Sequence, residues 1–246
     1  MRSENKMDKM LDNRNEYIIE VRDVHKEFGK GKDAITKVLD GASMNVRKGE
    51  FVSLMGPSGT GKSTLLYLIG GLDREYKGDI VVCGKNIGKI KEKELSQVRL
   101  ENIGFIFQFY NLVQNLNVED NILLPSLVAG KSRASLKKDL EEILEITGLK
   151  EKRKEYPSRL SGGQQQRVAI ARAVMGNPKL LLADEATGNL DKKSGEEIMD
   201  LFKKINKEKG ISILQVTHSE KCAAYGDRTV YLENGKAENL SQRKVS

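Results

Sequence analysis

Residues 56–64 read GPSGTGKST, and 56–63 match the pattern G-x-x-x-x-G-K-[ST]. Glycines at that spacing let the backbone curl until several N–H groups point at one place, which is how a loop cradles phosphate oxygens. Lys62 supplies a point charge to β- and γ-phosphates, and the Ser63 hydroxyl is a ligand for Mg²⁺. A helix opening near Lys62 adds the positive end of its dipole.

The stretch KLLLADE (179–185) supplies complementary chemistry. Apolar residues ending in two acids describe a buried strand that delivers carboxylates to a sheet edge, where open α/β sheets bind ligands. Asp184 can hold Mg²⁺ through water, and Glu185 can orient and deprotonate a water for attack on the γ-phosphate. His218, in ILQVTHSE, follows another apolar run and is expected on the same edge. Gln108, in FIFQFYN, is read as ending a strand too, where it would bridge Mg²⁺ to the segment that follows. Phe28, in VHKEFGKG, is an aromatic near a turn, able to stack on a base. In LSGGQQQRVAIAR (160–172), Ser161 is placed to cap a helix, with Gly162 and Gly163 exposing N–H groups at its dipole end. The residues alone leave two readings of that stretch open, a plain cap or a second anion cradle.

These groups need elements to hold them. EFVSLM (50–55) is an apolar strand running into the first loop, and KSTLLYLIGG follows as a helix ending at Gly70 and Gly71. YIIEVRDV (17–24) and VLDGASMNVRKG (38–49) alternate with period two, as strands of an antiparallel sheet do, and GDIVVCGKNI (78–87) is a further strand with a glycine turn. The segment from about 108 to 178 reads as helical throughout and separates the strands NIGFIFQ and KLLLAD. Within it, Leu136, Leu140, Ile143 and Leu144 share one helical face, with Gly148 at the C-cap. GEEIMDLFKKINKEKG (195–210) is another amphipathic helix, ISILQV (211–216) a buried strand, and TVYLENGKAENL a hairpin turning on Asn234-Gly235. Apolar strands alternating with helices indicate a parallel sheet covered on both faces.

The chain has 246 residues, 38% of them apolar and 31% charged, which is enough for one large globular domain. Its net charge of +7 suits nucleotides, nucleic acid or an anionic membrane surface, but the basic residues are interleaved with acids as on an ordinary solvated surface. Cys83 and Cys222 have no metal-ligand spacing and fit a reducing compartment. Residues 1–16 mix four acids and four bases without an apolar core, so they read as a flexible leader and not a signal peptide. No run approaches the ~20 apolar residues that span a bilayer, so direct membrane insertion is not expected.

Taken together and in this order, the motifs resemble those of ATP-binding-cassette (ABC) ATPases over about residues 17–240. Residues 56–63 are similar to that family's Walker A loop and 180–185 to its Walker B strand with the catalytic glutamate. Leu160 to Gln164 are an unaltered match to its signature. Gln108 corresponds to the Q-loop, Asn189-Leu190-Asp191 to the D-loop, His218 to the switch histidine and Phe28 to the adenine-stacking aromatic, commonly a tyrosine. Ala186 stands where many members have proline. The resemblance implies an α/β P-loop NTPase fold with a mostly parallel core sheet, an antiparallel β-subdomain and a helical insertion subdomain. The domain would run over 17–240, with core and β-subdomain from 17–107 and 179–240, the helical part at about 108–178, and a tail at 241–246. It implies ATP on Phe28, Gly56, Pro57, Ser58, Gly59, Thr60, Gly61, Lys62, Ser63 and Thr64, and Mg²⁺ on Ser63, Gln108 and Asp184. Catalysis would fall to Glu185 and His218. Ser161, Gly162, Gly163, Gln164 and Asp191 would serve the ATP of an opposing subunit in a homodimer.

GPSGTGKSTLLYLIGGLD, IGFIFQFYNL and ADEATGNLD are most similar to the subgroup serving macrolide export, lipoprotein release and antimicrobial-peptide resistance, with a cell-division relative. There the ATPase is a separate chain on the cytoplasmic face of the membrane, partnered by a transmembrane permease through a segment near 108–128, and no nucleic acid is expected. The alternatives are a soluble ABC ATPase acting on nucleic acid or ribosomes, or the cell-division relative. A P-loop kinase or non-hydrolysing adaptor is a further class, against which Glu185 and His218 argue.

Overall fold

Alternation along the strands builds the centre of the molecule. In β7 (Leu180–Asp184) and β8 (Ser212–Val216) every residue is buried, as in strands covered on both faces. Leu181, Ala183 and Ile213 point into one apolar cluster, and Leu180, Leu182 and Leu214 into another across the sheet. β3 (Phe51–Met55), β6 (Ile103–Ile106), β9 (Arg228–Glu233) and β10 (Lys236–Asn239) complete this six-stranded sheet. Its order is β10-β9-β3-β8-β7-β6, parallel throughout except for β10. The computed structural model describes residues 16–29 and 36–239, so the leader before Glu16 and the tail over 241–246 lie outside the described residues.

The second sheet is antiparallel, with order β2-β1-β4-β5 for β1 (Tyr17–Phe28), β2 (Thr36–Arg47), β4 (Lys77–Val82) and β5 (Lys85–Asn86). β1 runs four residues past the expected end at 24, because its pairing with β2 continues to Phe28↔Thr36 through register shifts that period-two reading does not follow. The hairpin β9–β10 turns on Asn234 and Gly235, both at positive φ, as its sequence requires. The Gly235 carbonyl accepts the Asp40 N–H at 3.0 Å, tying the hairpin to β2.

Seven α-helices cover the strands among the described residues: α1 (Lys62–Ile69), α2 (Glu92–Asn102), α3 (Val118–Val128), α4 (Arg133–Thr147), α5 (Gly162–Val174), α6 (Lys192–Lys209) and α7 (Glu220–Ala223). α4 buries Leu136, Leu140, Ile143 and Leu144 and ends at Gly148 in the left-handed region, as its periodicity predicts. α6 begins three residues earlier than predicted because Asp191 caps it, accepting from the Ser194 N–H at 3.0 Å.

The expectation that 108–178 is helical throughout is not met. A loop occupies 107–117 and 3₁₀ turns sit at Lys150–Lys152 and Pro157–Arg159. Asn121, fully buried on α3, stabilises the loop: its side chain accepts the Val113 N–H at 2.8 Å and donates to the carbonyls of Val113, Leu116 and Asn117. These bonds satisfy backbone groups that a helix would have paired internally. α2 escapes sequence reading because only Leu95 and Val98 on it are buried, too few for a visible period.

Candidate active site

Register brings the ends of three strands level. Leu54 pairs with Val216, and Val216 with Asp184, so the loops leaving β3, β8 and β7 emerge on one edge. The turn after β3 is closed by two glycines. At Gly56 (φ 149°) a Cβ would lie 2.1 Å from the Leu232 carbonyl oxygen, and at Gly61 (φ 95°) one would lie 2.6 Å from Val38 Cγ1. Within the turn, Thr60 Oγ1 donates to the Pro57 carbonyl at 2.9 Å. Lys62 Nζ curls back and donates to the carbonyls of Gly56 at 3.0 Å and Pro57 at 2.7 Å. Burial lowers the Lys62 pKa, while the carboxylates of Glu185 and Asp184 pull it back up. Pro57, Ser58 and Gly59 form the exposed rim, and Thr64 is half-buried in the first turn of α1.

Asp184 ends β7 and is largely buried. Ser63 Oγ donates to its Oδ1 at 2.8 Å and Tyr67 Oη donates to its Oδ2 at 2.7 Å. Burial and the bond to Asp184 push the Tyr67 phenol up to about 12. Tyr67 was not singled out by its type. The signal that would have found it is its spacing, one helical turn after Ser63 and so on the same face.

Glu185 has φ 47°, a left-handed backbone that costs a non-glycine residue about 1–3 kcal/mol. Its N–H donates to the Val216 carbonyl at 3.1 Å and its own carbonyl accepts the Gly188 N–H at 2.9 Å, which holds the turn. The side chain then meets His218, with Nε2 2.9 Å from Oε1. Both residues line a cavity of about 260 Å³ whose other walls include Thr187, Met199, Cys222 and Asp191.

Ser161 caps α5 in a reciprocal box: its hydroxyl accepts the Gln164 N–H at 3.3 Å, and Gln164 Oε1 accepts the Ser161 N–H at 3.0 Å. The two glycines admit close neighbours from the same chain. A Cβ on Gly162 would lie 2.8 Å from Tyr110 Oη, and one on Gly163 3.1 Å from Ser194 Oγ. Asp191 is exposed, and its carboxylate accepts from the Ser194 hydroxyl and N–H, which hold its pKa down. Gly162 and Gly163 thus lie against Leu190 and Ser194, on either side of the Asp191 cap of α6.

Gln108 differs from expectation. β6 stops at Ile106, because the chain leaves the sheet into the loop ordered by Asn121. The Gln108 amide is engaged with Asn189, donating at 3.4 Å to its Oδ1, while the Gln108 carbonyl accepts from Asn189 Nδ2 at 3.2 Å. Phe28 closes β1 with its ring 47% exposed and Lys26 Nζ 4.8 Å from the ring centroid. Arg172 was missed by sequence reading. It donates to the carbonyls of Asn111 (2.6 Å) and Tyr110 (2.9 Å), linking the 107–117 loop to α5.

Ser63 and Asp184 fit Mg²⁺ by donor chemistry, since both offer hard oxygens that already converge. Among the described residues no group of three or more His, Cys, Asp or Glu side chains could hold a metal. Two protein oxygens accord with an ion that takes its remaining ligands from phosphate and water.

Residues 39–188 match the sequence profile of the ABC transporter family. The chain is 41% identical over 219 residues to the lipoprotein-releasing system ATP-binding protein LolD of Geobacter metallireducens, covering 89% of this chain and 97% of that protein. It is 41% identical to the macrolide export ATP-binding/permease protein MacB of Mannheimia succiniciproducens, covering 92% of this chain but 35% of that protein. Among solved structures it is similar to the dimeric ATP-binding cassette MJ0796 of Methanocaldococcus jannaschii in a post-hydrolysis state bound to ADP and Pi. That match has TM-score 0.80 and 40% identity, and covers 89% of this chain and 96% of the other.

Proposed function

The chain belongs to the ABC transporter family, and from that premise we propose that it is an ATP-hydrolysing subunit that dimerises around two ATP and drives a separate membrane permease. The observation that carries this reading is the convergence of Lys62, Ser63, Asp184, Glu185 and His218 at the carboxyl ends of β3, β7 and β8.

Lys62 exchanges its bonds to the loop carbonyls for the β- and γ-phosphates, joined by the backbone N–H groups of residues 58–64. Phe28 offers its exposed ring to the adenine. Mg²⁺, when bound, adds positive charge against the phosphate oxygens, and Ser63 and Asp184 would hold it, with Gln108 reaching the site only on release from Asn189. Glu185 orients the attacking water and takes its proton, while His218 fixes the glutamate side chain. Ser161, Gly162, Gly163, Gln164 and Asp191 of a second copy close over the γ-phosphate, supplying oriented donors and excluding water. The solved dimer of a relative supports this closure.

The permease is assigned to a groove of about 790 Å³ lined by Leu72, Leu100, Phe105, Phe107 and Pro125. Exposed Phe109 and Val128 flank it in the chain. Among the described residues no helix is long and apolar enough to cross a membrane, so this groove is where attachment to the cytoplasmic face would be made. The names of two relatives, for macrolide export and for lipoprotein release, support a drug or a lipid-linked cargo, and an antimicrobial peptide is the third candidate. Phosphate release from ATP by the purified chain is the direct test. Activity abolished by Lys62→Ala is expected, and nucleotide binding without release would overturn the reading.

A further inference from the structure

We propose that Lys26 is a positioning residue for Phe28: its ammonium, buried against one face of the ring, fixes the platform on which adenine stacks and raises the preference of the site for ATP over a bare triphosphate. The inference rests on the reading of Phe28 as the adenine platform. Phe28 is the last residue of β1 and 47% exposed, so its ring has little core to hold it. Two residues back, on the same side of the strand, Lys26 is 2% exposed and places Nζ 4.8 Å from the ring centroid. A lysine that deep needs a counter-charge. Asp73, in the segment between α1 and β4, supplies it at 2.8 Å, while Glu75 stands 4.0 Å away and exposed. Burial acts to raise the Asp73 carboxyl, but hydrogen bonds from Lys26 and from the N–H groups of Glu75 and Arg74 outweigh it and hold it below its ordinary value. The ammonium is thus anchored at the ring face by a charged partner on another element.

The chemical consequence follows from the charge distribution of an aromatic ring. Its faces are negative, and a cation on one of them draws π density toward itself. The face turned away from Lys26 is left less negative and repels the π face of an incoming base less. The same contact limits rotation of the ring, so less freedom is lost when adenine stacks. Asp73 adds a fixed separation. α1 starts at Lys62 beside the phosphate loop and Asp73 follows its other end, so the ion pair ties the base platform to the helix that serves the triphosphate. None of these effects reaches a ligand without a base.

The test is calorimetric binding of ATP and of inorganic tripolyphosphate, each with Mg²⁺, to wild type, Lys26→Met, Phe28→Ala and the double variant. Lys26→Met should lower the ATP-to-tripolyphosphate affinity ratio about fivefold, the scale of one cation–π contact, and leave tripolyphosphate binding unchanged. In the Phe28→Ala background the same substitution should leave the ratio where it stands, because the ring it acts through is gone. An equal loss for both ligands, no loss, or an undiminished loss without the ring overturns the proposal. Phe28→Ala separates the two levels: if alone it leaves the ratio at the wild-type value, the adenine reading itself fails, and if it lowers the ratio while Lys26→Met does not, only the role of Lys26 fails. Should Lys26→Met not fold, Lys26→Gln with Asp73→Asn replaces the ion pair by two amides that bond each other. That variant should show the same fall, and an unchanged ratio overturns the proposal.

Discussion

His218 Nε2 stands 2.9 Å from Glu185 Oε1, bridging the loops that follow two neighbouring parallel strands. The contact joins a strained backbone at Glu185 to a half-exposed imidazole, so the carboxylate has its direction set from outside its own turn. Under the proposed roles, Glu185→Gln abolishes phosphate release while ATP-bound dimer accumulates on size exclusion. His218→Ala lowers kcat by about 10²-fold or more, the range for a group that orients a general base, with nucleotide affinity nearly unchanged. Persistent turnover in Glu185→Gln would remove the glutamate from its role.

On the proposed two-copy arrangement, Ser161→Arg separates the two ends of the nucleotide site. Losing the cap costs α5 about 1 kcal/mol, so the fold should survive. ATP binding to the isolated chain should stay near wild type while dimer closure and turnover are lost. Equilibrium binding and light scattering read the two effects separately, and lost binding would contradict the two-copy site.

The phosphate loop offers a graded test of backbone geometry. Gly56→Ala forces a methyl onto the Leu232 carbonyl and adds strain at φ 149°, with an expected cost of about 2–5 kcal/mol. Gly59→Ala meets nothing within 4 Å and should cost about 1 kcal/mol from its φ of 78° alone. Urea midpoints of the two variants measure the difference, and equal midpoints would mean the loop yields.

Glu119 is the centre of an ion cluster, with Arg153 at 3.1 Å, Lys154 at 3.0 Å and Arg133 at 3.7 Å. Burial acts to raise its pKa, but hydrogen bonds from Lys154 and Arg153 outweigh that and hold it below the usual carboxylate value. A depressed folded pKa means stability that is present above the ordinary ~4.3 and lost as pH falls through the folded value. Glu119→Gln should therefore cost about 1 kcal/mol at neutral pH and almost nothing in strong acid. Denaturation of both proteins across the acid range checks the convergence.

Much of the site was legible because its residues sit in contiguous motifs whose backbone chemistry is local. Residues 56–63, Asp184, Glu185 and Ser161 to Gln164 needed only a strand or helix beside them to be placed. The partner of Gln108 was not legible, since Asn189 lies 81 residues away and the strand ends two residues early. The four bonds made by Asn121 were equally hidden, because a buried asparagine in an apolar stretch looks like an ordinary helical surface residue until the loop it satisfies is seen. Tyr67 escaped the sequence reading: its spacing four residues after Ser63 puts both on one helical face, but only the fold brings Asp184 against them.

The sheet order has a consequence for how the protein is made. β8 lies between β3 and β7 yet is translated after both. Until residue 216 has left the ribosome, the two strands that carry Lys62's loop and Asp184 each display a bare apolar edge with no neighbour between them. A nascent chain halted before that point holds both halves of its centre and lacks the strand that joins them, and such edges pair with other chains. Synthesis of the segment from Asp184 to Val216 is therefore the interval in which these two strand edges stand without the neighbour that joins them.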